Sequence, residues 1–319
     1  MTWLVTGGAG YIGAHVVRAL LADGHEVVVL DDLSTGFKER VPDEVPIVLG
    51  TVLDRAALDR ALGDHGVTGV VHLAGKKQVG ESVAKPLYYF HENVEGLRVL
   101  LAAMGEHGVH SLVFSSSAAA YGMPDVEFVT EDTPCAPLSP YGLTKLIGEQ
   151  MIAAAAVAQP LSYVNIRYFN VAGAASPELA DHGAANLIPL IFERLDAGLP
   201  PRIFGGDYPT PAGTGIRDYI HVADLAEAHT AAVRRLGTDP ETALTVNAGR
   251  GVGVSVREII ETVGAVVGDP GLTGAVEARR PGDPARSVAA ADRIREELGW
   301  TAKLGVREMV ESAWAGWRR

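Results

Sequence analysis

The sequence predicts an α/β protein built on a doubly wound parallel sheet with a smaller C-terminal lobe, and three observations carry that expectation. A short apolar run over residues 2–6 leads straight into a glycine-rich turn and then an amphipathic stretch, residues 14–22, stopped at Gly24. Strand-like apolar runs and helix-period stretches alternate from there to residue 170, as repeated β-α units do. At 319 residues and 47% hydrophobic composition, the chain can bury the core of one large or two modest domains.

The opening turn is the most informative stretch. Gly8, Gly10 and Gly13 fit G-x-G-x-x-G, while Gly7, Gly10 and Gly13 fit G-x-x-G-x-x-G. A side chain in such a turn would hold the backbone away from a pyrophosphate, which otherwise rests on free amides at the positive end of the helix. This is the Rossmann-type arrangement. The second strand, residues 26–30, ends at Asp31, eighteen positions past Gly13. A carboxylate there can accept hydrogen bonds from the adenosine ribose hydroxyls. Asp31 and Asp32 together would repel a 2′-phosphate, so NAD rather than NADP is the expected cofactor.

A third strand over residues 45–49, a helix over 56–62 and a fourth strand over 69–73 follow, the last running into Ala74-Gly75. Lys76 and Lys77 come next, at an edge where one of them can reach cofactor hydroxyls or phosphate. Asn93 opens an amphipathic helix whose stripe, Leu97, Leu100, Leu101 and Met104, reads as core. The fifth strand, residues 111–116, delivers Ser117 to the carboxyl edge of the sheet, where open α/β sheets bind ligands. A loop punctuated by Pro124, Pro134, Pro137 and Pro140 precedes a helix over 141–158, and the sixth strand spans 162–167. Beyond Asn170 the texture becomes rich in Gly and Pro, which suits a region capping the substrate, with one helix over 187–197. Residues 217–221, a helix over 222–236 and a strand over 244–247 read as a return to the main sheet, followed by helices over 256–267, 293–298 and 306–317. The expected division is a cofactor-binding domain over 1–170, rejoined by 217–247, and a second lobe from 171–216 and 248–319.

Tyr141 and Lys145 stand four residues apart and so project from one helix face. A phenol with a pKa of about 10 is a poor base at neutral pH, and a neighbouring ammonium is one way to favour its ionised form. Nine tyrosines and six lysines in 319 residues would give such a pair by chance in about one sequence of six, so its weight rests on the company of Ser115, Ser116 and Ser117.

Composition narrows the partners. A net charge of −12 and a pI near 5.3, without clustered Lys and Arg, argue against nucleic acid or an anionic membrane and for a small ligand. The longest apolar run, residues 151–158, is about half a membrane span. Residues 2–6 already read as a buried strand, so no signal peptide is expected, and the lone Cys135 suits a reducing, cytoplasmic location. The ten histidines show no metal spacing, so no metal is expected.

Several stretches together resemble the extended short-chain dehydrogenase/reductase family, in its NAD-dependent epimerase/dehydratase branch. They are residues 5–13, Val79-Gly80-Glu81-Ser82, residues 115–118, Ser139-Pro140-Tyr141-Gly142, Arg167-Tyr168-Phe169-Asn170, Asp207-Tyr208-Pro209-Thr210 and residues 213–222. The last two are far more specific than a glycine loop. The resemblance implies reversible C4 epimerisation of UDP-hexoses (UDP-galactose/UDP-glucose, with UDP-GalNAc/UDP-GlcNAc as further candidates) through a transient 4-keto sugar, with NAD tightly bound. It also implies a homodimer packed through helices. Carried over by position, Tyr141, Lys145 and Ser117 are the catalytic candidates. Gly7, Gly10, Tyr11, Ile12, Gly13, Asp31, Asp32, Val52, Leu73, Ala74, Lys77, Asn93, Ser115 and Tyr168, with Tyr141 and Lys145, are the cofactor candidates. Ser117, Asn170, Asn186, Leu187, Phe204, Arg217, Tyr219, Arg280, Asp283 and Ser287 are the nucleotide-sugar candidates. Planar guanidinium groups such as those of Arg217 and Arg280 can each bridge two pyrophosphate oxygens.

The chain departs from the family pattern at Thr51, where an Asp usually meets the adenine amino group, and at Asp32, Gly206 and Ala290. Ser287 is a small residue at a position where small residues go with acceptance of N-acetylated hexosamines. A related dehydratase needs an acid pair after Ser117, and this chain has Ala118 and Ala119. Epimerisation of a UDP-pentose or UDP-uronate, or a non-catalytic NAD and nucleotide-sugar binder, are the other readings.

Overall fold

The structure, a computed structural model, describes residues 1–183, 186–280 and 283–318, so Pro281 and Gly282 of the 278–283 loop lie outside the described residues. Its strands are β1 (Thr2–Thr6), β2 (Glu26–Asp31), β3 (Ile47–Leu49), β4 (Val67–His72), β5 (Ser111–Ser117), β6 (Ser162–Tyr168), β7 (Asn170–Ala172), β8 (Arg202–Phe204), β9 (Ile216–His221), β10 (Ala243–Ala248), β11 (Gly253–Ser255), β12 (Ala275–Glu277) and β13 (Arg286–Ser287). The α-helices are α1 (Tyr11–Ala22), α2 (Arg55–Gly63), α3 (Val79–Ala84), α4 (Pro86–Tyr89), α5 (Gly96–Glu106), α6 (Pro140–Ala158), α7 (Leu187–Asp196), α8 (Val222–Thr238), α9 (Val256–Val267), α10 (Asp292–Leu298) and α11 (Val306–Trp317).

A parallel seven-stranded sheet runs in the order β10-β6-β5-β4-β1-β2-β3. The chain starts in the middle at β1, winds out to β3, then returns to β4 and winds the other way, so the order reverses between β1 and β4. A crevice opens at such a reversal, beyond the carboxyl ends of the strands. Thr6 there stands in register with Leu30 on one side and His72 on the other. Helices α1, α8 and α10 cover one face through Val16, Val17, Leu20, Leu225 and Ile294. Helices α2, α5 and α6 cover the other through Leu58, Leu97, Leu100, Met104 and Ile152.

Local chemistry fixes the helix starts. Asp54 caps α2 by accepting from the Ala56 and Ala57 amides, and Ser139 caps α6 by accepting from Gly142, with Pro140 in the first turn. Ser255 and Glu258 form a reciprocal capping box on α9, which ends at Gly268 in the left-handed conformation.

The second lobe has its own small sheet, β11-β9-β13 with β7 paired to β9, and a β8–β12 ribbon. Its core joins α7, α9 and α11, with Phe192 against Trp314 and Trp317.

Two expectations need correcting. Residues 217–221 do not return to the main sheet: β9 pairs with β7, β11 and β13. Asp218, fully buried in it, accepts from the amides of Arg250, Gly251 and Ala289, partners that only the small sheet brings to it. The chain rejoins the main sheet at α8 and β10. Asn93 does not open a helix either; it sits inside a π-helical stretch, Phe90–Glu95, between α4 and α5. Among the described residues no helix is long and apolar enough to cross a membrane, and no group of His, Cys, Asp or Glu could hold a metal ion.

Candidate active site

Two clefts meet at the carboxyl edge of the large sheet. The first, of about 740 Å³, lies over the β1–α1 turn. Gly7 has φ +73°, and a Cβ there would come 2.8 Å from the Ala74 amide nitrogen; one on Gly13 would come 2.1 Å from the Gly7 carbonyl. The turn is thus a bare-backbone cradle, with Gly10 capping α1. At its far end Asp31 is buried and accepts from the amides of Ala9 (2.9 Å) and Leu33 (2.8 Å). Burial raises the pKa of this carboxyl while those two amides hold it down. Tyr11, Ile12, Asp32, Thr51, Val52, Leu73, Lys76, Lys77 and Tyr168 also line the cleft. Backbone bareness at the turn and a carboxylate at the end of β2 fit a dinucleotide.

Tyr141 and Lys145 close this cleft from α6. Lys145 is buried, donates to the Ser115 carbonyl (2.8 Å) and lies over the Phe114 ring at 5.0 Å. Burial lowers its pKa to about 8, against the raising effect of Glu149 one turn on. The expected depression of the Tyr141 pKa by Lys145 is not what the site shows. Burial raises it, and the opposing influence is a hydrogen bond with Ser117, because the ammonium is turned toward Ser115 and Phe114. Without a ligand the phenol is neutral at pH 7.

The second cleft, of about 580 Å³, is walled by α7, β7, β8 and β9. Asn170, Asn186, Leu187, Phe204, Arg217, Tyr219, Arg280 and Asp283 all line it. Arg280 stacks on Phe204 with its guanidinium carbon 3.7 Å from the ring centroid, and Arg217 is ion-paired to Asp283. Tyr11 and Asp181 line both clefts.

Several candidates stand elsewhere than expected. Asn93 lines neither cleft; its amide donates to the Lys76 carbonyl (2.9 Å) and Thr144 (3.0 Å), and its oxygen accepts from the Lys76 amide (2.8 Å), so it braces the Lys76 loop against α6. Ser115 is also behind the wall, bonded at 2.7 Å to His229. His229 uses its other ring nitrogen on the Leu225 carbonyl (2.8 Å), so Ser115 donates to it. Ser287 lines neither cleft, although its strand partner is Arg217.

Residue-by-residue reading missed the groups behind the site. Glu149 and Arg167 form a buried pair (2.5 Å) one helical turn from Lys145, with Ser116 donating to the same carboxylate. The i,i+4 step from Lys145 to Glu149 was the available signal. Asp181 carried none.

Comparison with known proteins decides the family. The profile of the NAD dependent epimerase/dehydratase family matches residues 3–249. The chain belongs to that family. Among its relatives in it, the chain is 45% identical to the UDP-glucose 4-epimerase of Azospirillum brasilense over 320 aligned residues, covering 99% of this chain and 91% of that one. Among solved structures it is similar to the UDP-glucose-4-epimerase of Stenotrophomonas maltophila with bound NAD and formylated UDP-arabinopyranose. That pair has 39% identity and a TM-score of 0.94 over 100% of this chain and 98% of that one. The UDP-glucose 4-epimerase of Bifidobacterium longum in complex with NAD+ and UDP gives 38% identity and a TM-score of 0.92, with the same coverage. The resemblance expected from the motifs and the α/β fold class are both borne out.

Proposed function

We propose that this chain interconverts UDP-galactose and UDP-glucose by inversion at C4 of the sugar. The observation that carries the reading is the placement of Tyr141 and Lys145 at the cofactor cleft, with Ser117, which lines neither cleft, hydrogen-bonded to Tyr141 from behind, beside a second cleft holding Arg217, Arg280 and Phe204. NAD, held by the glycine turn and Asp31, supplies the hydride acceptor and a positive ring that favours the Tyr141 phenolate. Tyr141 takes the proton of the sugar 4-hydroxyl, and the Ser117 hydroxyl bonds the same oxygen. With the C4 hydride also gone, the sugar is a 4-ketose. After the sugar turns over about its link to the diphosphate, the hydride returns to the opposite face and Tyr141 gives the proton back. Arg217 and Arg280 keep the diphosphate anchored throughout. Ala118 and Ala119 offer no acid for eliminating water, which favours epimerisation over dehydration.

In this reading residues 1–170 with α8 and β10 hold the cofactor, and 171–221 with 248–319 hold the nucleotide sugar. A cytoplasmic homodimer belongs to it too, supported by exposed Val83, Leu87 and Leu143 on α3, α4 and α6. A UDP-pentose is the second reading, since the Stenotrophomonas relative was solved with a UDP-arabinopyranose derivative.

The test is to denature the purified protein and assay released NAD, then offer the native protein UDP-galactose without added cofactor. NAD release and formation of UDP-glucose are expected; NAD without turnover of any UDP-hexose would refute the hexose reading. Ser287 leads to a second expectation, that UDP-GalNAc is converted to UDP-GlcNAc. Its complete absence under conditions that equilibrate UDP-galactose would sink that part.

A further inference from the structure

Asp181 stands on the partition between the two clefts and lines both. Its carboxylate accepts from the Gly183 amide through Oδ1 (3.0 Å) and from the Asn186 side-chain amide through Oδ2 (2.6 Å). A carboxylate is an acceptor only, so this contact fixes which end of the Asn186 amide turns toward Asp181, and the carbonyl end of Asn186 points elsewhere. On the other side, the neighbouring Ala180 carbonyl accepts from the Arg40 guanidinium at 2.6 Å. Arg40 is buried, lines the cofactor cleft and lies within the electrostatic reach of Asp181. That cation matters, because a bare carboxylate beside two clefts suited to diphosphates would repel both ligands. Tyr11, also shared by the clefts, donates to the Gly173 carbonyl (2.5 Å) and ties the same wall to the glycine turn.

We propose that Asp181 is a positioning residue for nucleotide-sugar binding: it holds the Asn186 carboxamide in place on the wall of the second cleft, with Arg40 offsetting its charge from the cofactor side. The inference rests on reading that cleft as the UDP-sugar site. It makes Asp181 act through Asn186 rather than on the sugar.

A double-mutant cycle tests it. On NAD-loaded protein, Asp181→Ala is expected to raise the KM for UDP-galactose, and the dissociation constant of UDP where Asn186 meets that part of the ligand, by about tenfold, with the loss falling on KM more than on kcat. Asp181→Asn, which keeps an acceptor for Asn186, should lie between wild type and Asp181→Ala. In an Asn186→Ala background, Asp181→Ala should add less than twofold. A wild-type KM in Asp181→Ala, an equal loss in both backgrounds, or a loss confined to kcat or to bound NAD would each overturn the assignment. If Asp181→Ala fails to fold, Asn186→Ala alone decides it, since a normal KM there removes the link. If wild-type protein neither binds UDP nor turns over any UDP-sugar, the functional reading falls and this inference falls with it. A defect confined to the variants, or missing from them, bears on Asp181 alone.

Discussion

Tyr141 is buried, and burial alone leaves less of it ionised at neutral pH than free tyrosine. Its reactivity must therefore come from charge that arrives with the ligands, since the Lys145 ammonium is turned toward Ser115 and Phe114. Lys145 has a pKa lowered to about 8, so it carries its proton at pH 7 and surrenders it under mildly alkaline conditions. Two opposing limbs follow for hydride transfer. The phenolate fraction of Tyr141 grows as pH rises, while the Lys145 ammonium lining the cofactor cleft is lost above about 8. Single-turnover reduction of the bound nicotinamide, followed by absorbance after mixing with UDP-galactose, should climb toward pH 8 and then stop climbing or fall. Lys145→Met should lose the break near pH 8; if the break persists, another group causes it. Tyr141→Phe should keep bound NAD and lose kcat by about 10²- to 10⁴-fold, the usual contribution of a positioned acid-base group. Undiminished turnover would remove Tyr141 from the mechanism.

The β1–α1 element makes the cofactor cleft, and its glycines are set by contacts within the turn itself. A Cβ at Gly13 would lie 2.1 Å from the Gly7 carbonyl and 2.8 Å from the Gly8 Cα, both backbone atoms with no rotamer to yield. Gly13→Ala should therefore cost about 1–3 kcal/mol and cut retained NAD, read as a lower thermal midpoint and less NAD released on denaturation. A variant with full NAD and an unchanged midpoint would contradict this geometry. Such turns are legible in sequence because their physics is local, and the same holds for the Ser139–Pro140 start of α6 and the Ser255–Glu258 box. Pairing partners are not local. The β9 segment, Ile216–His221, reads equally well for either sheet, and Asp218, with three amide donors brought from distant segments, fixes it to the smaller one. Asn93 shows the same limit within the site. Its position in the sequence matches a cofactor contact, but its hydrogen bonds brace the Lys76 loop. Asp181 was illegible for the converse reason, since its partners Asn186, Gly183 and Arg40 form no motif.

For the whole molecule, the buried histidines couple the fold to pH. His15, His72 and His229 are buried neutral in three places: beneath the glycine turn, at the end of β4, and on α8 against Ser115. Burial depresses their pKa values to about 4, 3 and 4 respectively. In the unfolded chain each would titrate near 6.5, so between pH 6.5 and 4 the unfolded state binds protons that the folded state refuses. Their contribution to stability is complete above 6.5 and is lost as pH falls toward 4. Asp218 opposes them, because burial raises its folded pKa to about 6 and the folded state takes up a proton there before the unfolded state does. Three protons against one leave about two; buried His221, its pKa also lowered by burial, adds to this, and the Asp31 shift trims it. Unfolding free energy should then fall by on the order of 2–3 kcal/mol per pH unit near pH 5. Urea titrations across pH 7 to 4.5 measure this slope directly. His229→Gln, whose amide oxygen can still accept from Ser115 but which cannot titrate, should flatten the slope by about one proton. If the slope is unchanged in His229→Gln, His229 is not among the groups that unfold this protein in acid.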